Sequence, residues 1–130
     1  MSSISIIRQI RSILLNNSSL VELLGGNKIF PLVAEAETKN PFIVIKRNSL
    51  TVSYTKISNI NDDNINDDNI IILSVIADDY EKVVQIAEEV RNSLENYRDN
   101  FILESRITNV SDNYNYDIYN IDISFKIKTK

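Results

Sequence analysis

The chain has 130 residues, 43% hydrophobic and 25% charged, enough apolar material for a single domain over 1–130 to build a core without staples. Cysteine and histidine are both absent, which removes disulfides, thiolate zinc sites and every nucleophile–histidine pair. The formal net charge of −4 and the scatter of lysines and arginines argue against tight nucleic-acid binding, whose affinity comes from neutralising phosphates.

In the opening segment MSSISIIRQIRSILL, Arg8 and Arg11 interrupt the apolar positions and no small-residue cleavage site follows, so it does not read as a secretion signal. Ile6, Ile7, Ile10, Ile13 and Leu14 instead form one stripe of an amphipathic helix. A short second helix is expected from Ser19, with Ser19 and Glu22 at capping-box spacing and Gly25-Gly26 closing it. Residues 28–40 read as irregular or a short edge strand, because Pro31 and Pro41 cannot donate a ladder hydrogen bond. Phe42 to Ile45 follows as a strand buried on both faces. Leu50, Val52 and Tyr54 alternate beyond it, continuing or resuming the strand after a break.

Residues 56–69, KISNINDDNINDDN, hold Asp62, Asp63, Asp67 and Asp68 among asparagines, a composition poor in helix and strand that predicts a long, flexible hairpin loop. Ile70 to Ile76 reads as a central strand. Asp78 and Glu81 have capping-box spacing before the clearest helix, in which Tyr80, Val83, Val84, Ile86, Ala87, Val90, Leu94 and Tyr97 recur every three or four residues. A strand over Phe101–Val110 is expected next. Tyr119, Ile121, Ile123, Phe125 and Ile127 then alternate with polar residues, the pattern of a strand with one wet face. The order predicts an α+β fold: a mostly antiparallel sheet with the long amphipathic helix and the N-terminal helices packed on it. No apolar run approaches the ~20 residues that span a bilayer, so no membrane partner is expected and synthesis reads as cytosolic.

Little chemistry is on offer. Asp62, Asn64, Asn66 and Asp68 alternate like calcium-loop ligands, but the sixth position is Asp67 instead of glycine and the twelfth is Leu73 instead of glutamate. Asp78-Asp79 is better explained as a helix cap than as a catalytic pair. Tyr114, Tyr116 and Tyr119 lack the nearby positive charge of a base-stacking platform and fit strand packing or an interface. No phosphate-binding glycine loop is present. No catalytic, cofactor-binding or metal residue is assigned, no cofactor is expected, and the reading is of a non-enzyme that works by docking to other protein subunits.

The sequence LLGGNKIFPLVAEAETKNPFIVIKR joins an apolar helix end, a glycine turn, an Ile-Phe-Pro and a proline-led strand. DDYEKVVQIAEEVRNSL follows a strand directly, and DNYNYDIYNIDISFKI nears the end of the chain. In this order and spacing, over nearly its whole length, the chain resembles the small tail-completion proteins of tailed bacteriophages and prophages, which include the tail terminators. The resemblance implies an α+β sandwich that assembles as a hexameric ring, caps the tail tube, stops its polymerisation and helps join tail to head. Its implied partners are further copies of itself, the tail tube protein and a head-completion or neck protein; its implied location is the virion tail, assembled in the bacterial cytoplasm. The Asn/Asp-rich 56–69 segment departs from that pattern.

A ring needs a patch on one subunit that meets a different patch on the next, and sheet edges supply such patches. The strand at 42–54, with Leu50, Val52 and Tyr54, and its loop are the candidate interface; a hairpin internal to the chain is the competing reading. Asp62, Asp63, Asp67 and Asp68 are candidates for a lumen lining that repels passing DNA, with a solvated exterior loop as its competitor. Two other functions stay open: a different head–tail neck or joining protein, and a small non-catalytic regulatory or ligand-binding α+β domain.

Overall fold

The computed structural model describes residues 3–52 and 66–130. After a 3-10 turn at Ser3–Ser5, the elements run α1 (Ile6–Leu15), α2 (Ser18–Leu24), β1 (Ile29–Pro31), β2 (Phe42–Val52), β3 (Asp67–Ala77), α3 (Tyr80–Leu94), β4 (Ile102–Asn115) and β5 (Ile118–Thr129). They form the expected α+β architecture. One five-stranded sheet has the order β1-β2-β3-β5-β4; β1 pairs with β2 in parallel, and every other pairing is antiparallel.

The period-2 sequence patterns decide which face the helices cover. Ile43 and Ile45 of β2, Ile71, Leu73 and Val75 of β3, and Ile121, Ile123, Phe125 and Ile127 of β5 all turn to one side and are buried. The apolar stripes of the helices, Ile6, Ile10 and Leu14 of α1 and Val83, Ile86, Val90 and Leu94 of α3, close over them in one cluster. Burying each such side chain stabilises the fold by about 1.5–3 kcal/mol, which explains why α1 holds although its end caps are weak. Arg11 fixes α1 to the sheet, its Nε donating to the Ile29 carbonyl at 2.7 Å.

Both helix starts differ from the sequence expectation by one or two residues. The cap of α2 is Asn17, not Ser19: its Oδ1 accepts from the Leu20 amide at 3.1 Å. The cap of α3 is Asp79, not Asp78, accepting from the Lys82 amide at 3.1 Å. In each case the residue with extended backbone took the role, because a cap needs non-helical φ/ψ as well as an oxygen. Gly25 closes α2 as expected, at φ 76°. The three- and four-residue repeat of α3 continues to Tyr97 in the sequence, but the helix ends at Leu94 because Glu95 is extended and Asn96 lies at φ 65°.

The predicted loop over 56–69 is shorter at its C-terminal end, since β3 begins at Asp67. Asp67 and Asp68 pair across β2 with Val52 and Thr51, and across β5 with Thr129 and Lys128. Pairing on both sides overrides the low strand propensity of aspartate and asparagine. The last predicted strand pair is also longer than expected, with β4 reaching Asn115.

Asp99 anchors the connection between α3 and β4. Its Oδ1 accepts from the amides of Ile102 (2.6 Å) and Phe101 (2.8 Å), and its Oδ2 from the Gln9 side chain of α1 (2.7 Å) and the Tyr97 hydroxyl (3.1 Å). Burial opposes the charge, but these donors outweigh it, the Ile102 amide first, and hold the carboxyl below the ordinary aspartate value of 3.8. A depressed folded-state pKa means that the contribution to stability is complete above the unfolded value and fades as pH falls through the folded one. Asp99→Ala is expected to cost about 1 kcal/mol at pH 7. Urea unfolding should show that difference shrinking as pH drops below 3.8; a difference unchanged at pH 2–3 would mean that the carboxylate's charge is not what the turn uses.

Candidate subunit-contact surface

Among the described residues no cluster of three or more His, Cys, Asp or Glu is placed to hold a metal ion, and no helix is long and apolar enough to cross a membrane. The features that stand out are edges, a bare sheet face and an exposed hairpin.

The two lateral edges of the sheet differ in cover. β1 protects only Ile43–Ile45 of β2. Past that point Lys46–Val52 has no strand on its outer side among the described residues. A bulge at Asn48 separates the pairs Arg47–Ile71 and Ser49–Ile70. The extra residue reverses the alternation, so Leu50 and Val52 lie opposite Asn69 and Asp67, on the side of the helices. Leu50 is half-buried there and Val52 is 41% exposed. Thus the candidate interface strand does contain an open edge, but its two described apolar residues do not share the face of Val44. Tyr54, Asp62 and Asp63 lie outside the described residues. Asp67 and Asp68 sit on the central strand, with Asp68 opposite Lys128, so the acidic candidates are not one loop.

The opposite edge is β4, which among the described residues pairs with β5 alone and is exposed at every residue from Thr108 to Asn115. No lysine or proline, the usual guards of a free edge, occurs in that stretch. Beside it, α3 and β4 bound a groove of about 460 Å³ whose floor includes Val84, Ile107, Val110 and Ile123. At its end Tyr80 meets Tyr119 edge to face and Tyr119 meets Tyr114 at a tilt, with ring centroids 5.5 and 4.7 Å apart. Of the tyrosines singled out in the sequence, Tyr114 and Tyr119 therefore pack together, whereas Tyr116 stands alone at the turn.

The helix-free face is unexpectedly apolar. Phe30 and Phe42 meet edge to face at 6.4 Å, and Val44, Ile70, Ile72 and Ile76 continue the patch across β2 and β3, all only half-buried. On β5 the same face is polar: Asn120, Asp122, Ser124, Lys126 and Lys128. A groove of about 740 Å³ runs over this face from Leu32 to the β4–β5 hairpin. Sequence reading identified the apolar character of Phe42–Ile45 on both faces but expected both to be covered. The isoleucine run of β3 carried the same signal for the missing cover.

No family model and no curated protein matches the sequence. Among solved structures, the chain is similar in fold to a chain of the "Virion of native gene transfer agent (GTA) particle": the TM-score is 0.65 at 12% identity, over 92% of this chain and 92% of that one. At that identity the likeness is one of fold.

Proposed function

We propose that the chain is a non-catalytic structural subunit of a phage-type virion, a tail-completion or terminator protein that caps the tail tube as a ring. In this reading six copies join in the virion tail after assembly in the bacterial cytoplasm, stop tube polymerisation and offer a surface to a head-completion or neck protein. The observation that carries it is the fold shared, over nearly the full length of both chains, with a component of the gene transfer agent virion.

The edges give the reading a physical basis. β2, β3, β5 and β4 alternate in direction, so β4 of one copy beside the open Lys46–Val52 edge of the next would run antiparallel and continue the sheet. Such a contact joins two different patches, which is the type that closes into rings. The strand end that carries Leu50 and Val52 then belongs to the subunit interface. The sheet end that carries Asp67 and Asp68 then faces the lumen, where carboxylates keep DNA phosphates from adhering.

Deleting the gene from the phage or prophage that encodes it tests the reading by electron microscopy of the particles. Tubes of uncontrolled length, rescued by supplying the protein, are the expected result. Tubes of normal length that fail to join heads would reassign the chain to a neck protein. Normal particles would overturn the virion reading and leave the α3–β4 groove, and with it a small ligand-binding domain, as the better account.

A further inference from the structure

The β4–β5 turn and the groove on the bare sheet face match each other chemically. Tyr116 and Asp117 form the turn, with φ of 51° and 63°. A two-residue hairpin turn with both φ values positive normally uses asparagine, aspartate or glycine, because a bulky side chain there crowds its own backbone. Tyrosine at the first position works against that preference, and strain of this kind persists where the placement itself is used. Tyr116 is 90% exposed. The turn is held from below, the Tyr114 hydroxyl donating to Asp117 Oδ1 at 2.9 Å.

The groove has an apolar floor of Val44, Ile76 and Ile118, with Leu32 on its rim, itself 69% exposed. Lys46 stands in it, exposed, and takes part in none of the ion pairs among the described residues. Its acidic member, Asp122, is engaged by the Ser74 hydroxyl at 2.6 Å. The chain's own tip cannot fill this groove, because β4 and β5 stay paired up to Asn115 and Ile118.

We propose that the groove receives the Tyr116–Asp117 tip of a second copy, the tyrosine ring covering Val44, Ile76 and Leu32 and the Asp117 carboxylate meeting the Lys46 ammonium. An exposed aromatic anchor entering an apolar groove beside an opposite charge is the make-up of an interface hot spot. Knob and groove are different patches of one surface, so the contact is head-to-tail, and β4 would lie toward the Lys46–Val52 edge of the same neighbour. The inference deepens the ring reading by naming its contacts, and its test does not depend on virion assembly.

The chain has no cysteine, so single cysteines report contacts directly. Chains carrying Asn115→Cys are mixed with chains carrying Val33→Cys, exposed positions that flank the contact and leave its side chains intact, oxidised at high concentration, and compared with Asn115→Cys mixed with Gln85→Cys on the outer face of α3. A covalent heterodimer at several times the control yield is expected; equal yields would overturn the proposal. Sedimentation of otherwise unaltered chains supplies the second arm. Lys46→Gln and Asp117→Asn should each weaken self-association by about tenfold, and the double variant should be no weaker than either single, the signature of one coupled pair. Fully additive losses, or none, would remove the Lys46–Asp117 contact. Cross-linking combined with normal tails in the gene deletion would retain this contact and discard the terminator role; uncontrolled tubes without cross-linking would do the reverse.

Discussion

Phe125→Ala is expected to lower the unfolding free energy by about 3–5 kcal/mol, the largest effect of any single truncation in this chain. Phe125 is the bulkiest of the fully buried side chains, on β5 between Ile71 of β3 and Ile107 of β4. It therefore fills the sheet where helix cover passes from the β3 side toward the bare β4 edge. Removing the ring loses its transfer energy and leaves a cavity that paired strands on both sides cannot collapse to fill. Thermal unfolding should shift down by roughly 10–20 °C, and Phe125→Leu by much less, since leucine keeps most of the buried volume. A loss below about 1 kcal/mol would show that β4 moves in to close the gap, and that this edge is softer than its regular pairing implies.

Asn17→Ala is expected to cost about 2–3 kcal/mol, more than an ordinary helix cap. Its Oδ1 caps α2, while its Nδ2 reaches across to α3, donating to the Ser93 hydroxyl at 2.8 Å and the Glu89 carboxylate at 3.1 Å. One amide thus supplies both a helix start and the link that docks α2 on α3. Asn17→Asp separates the two roles: it keeps the cap acceptor but loses the donors and sets a second carboxylate beside Glu89. Chemical unfolding should place Asn17→Asp near Asn17→Ala if the link to α3 dominates, and near the wild type if the cap does. An alanine variant that loses only a few tenths of a kcal/mol would mean that the α2–α3 contact stands on its apolar residues, Leu20 and Leu24, alone.

The elements were largely legible because their signals are local. The stripe of α1, the repeat of α3 and the alternation of β5 each follow from side chains in one stretch of chain, and burial obeyed them. The caps were less so: Asn17 and Asp79 take the role with extended backbone, a conformation that residue type alone does not fix. Asp67 and Asp68 were assigned to a loop on composition, yet they lie on the central strand because Thr51, Val52, Lys128 and Thr129 pair them from both sides. That pairing joins residues some 15 and 60 positions apart.

The class of fold, the absence of histidine and cysteine chemistry, and the apolar runs of Phe42–Ile45 and Ile70–Ile76 all follow from the order of residues along the chain. Periodicity and composition require no knowledge of what lies opposite. Which surfaces remain uncovered depends instead on packing between distant segments. A bulge at Asn48 turns Leu50 and Val52 toward the helix side, helices cover one face of the sheet and not the other, and a paired hairpin lifts Tyr116 clear of its own groove. Those outcomes depend on register and on which strand ends beside which. They give a chain that reads as a docking protein its open edges, a bare sheet face and an exposed hairpin tip.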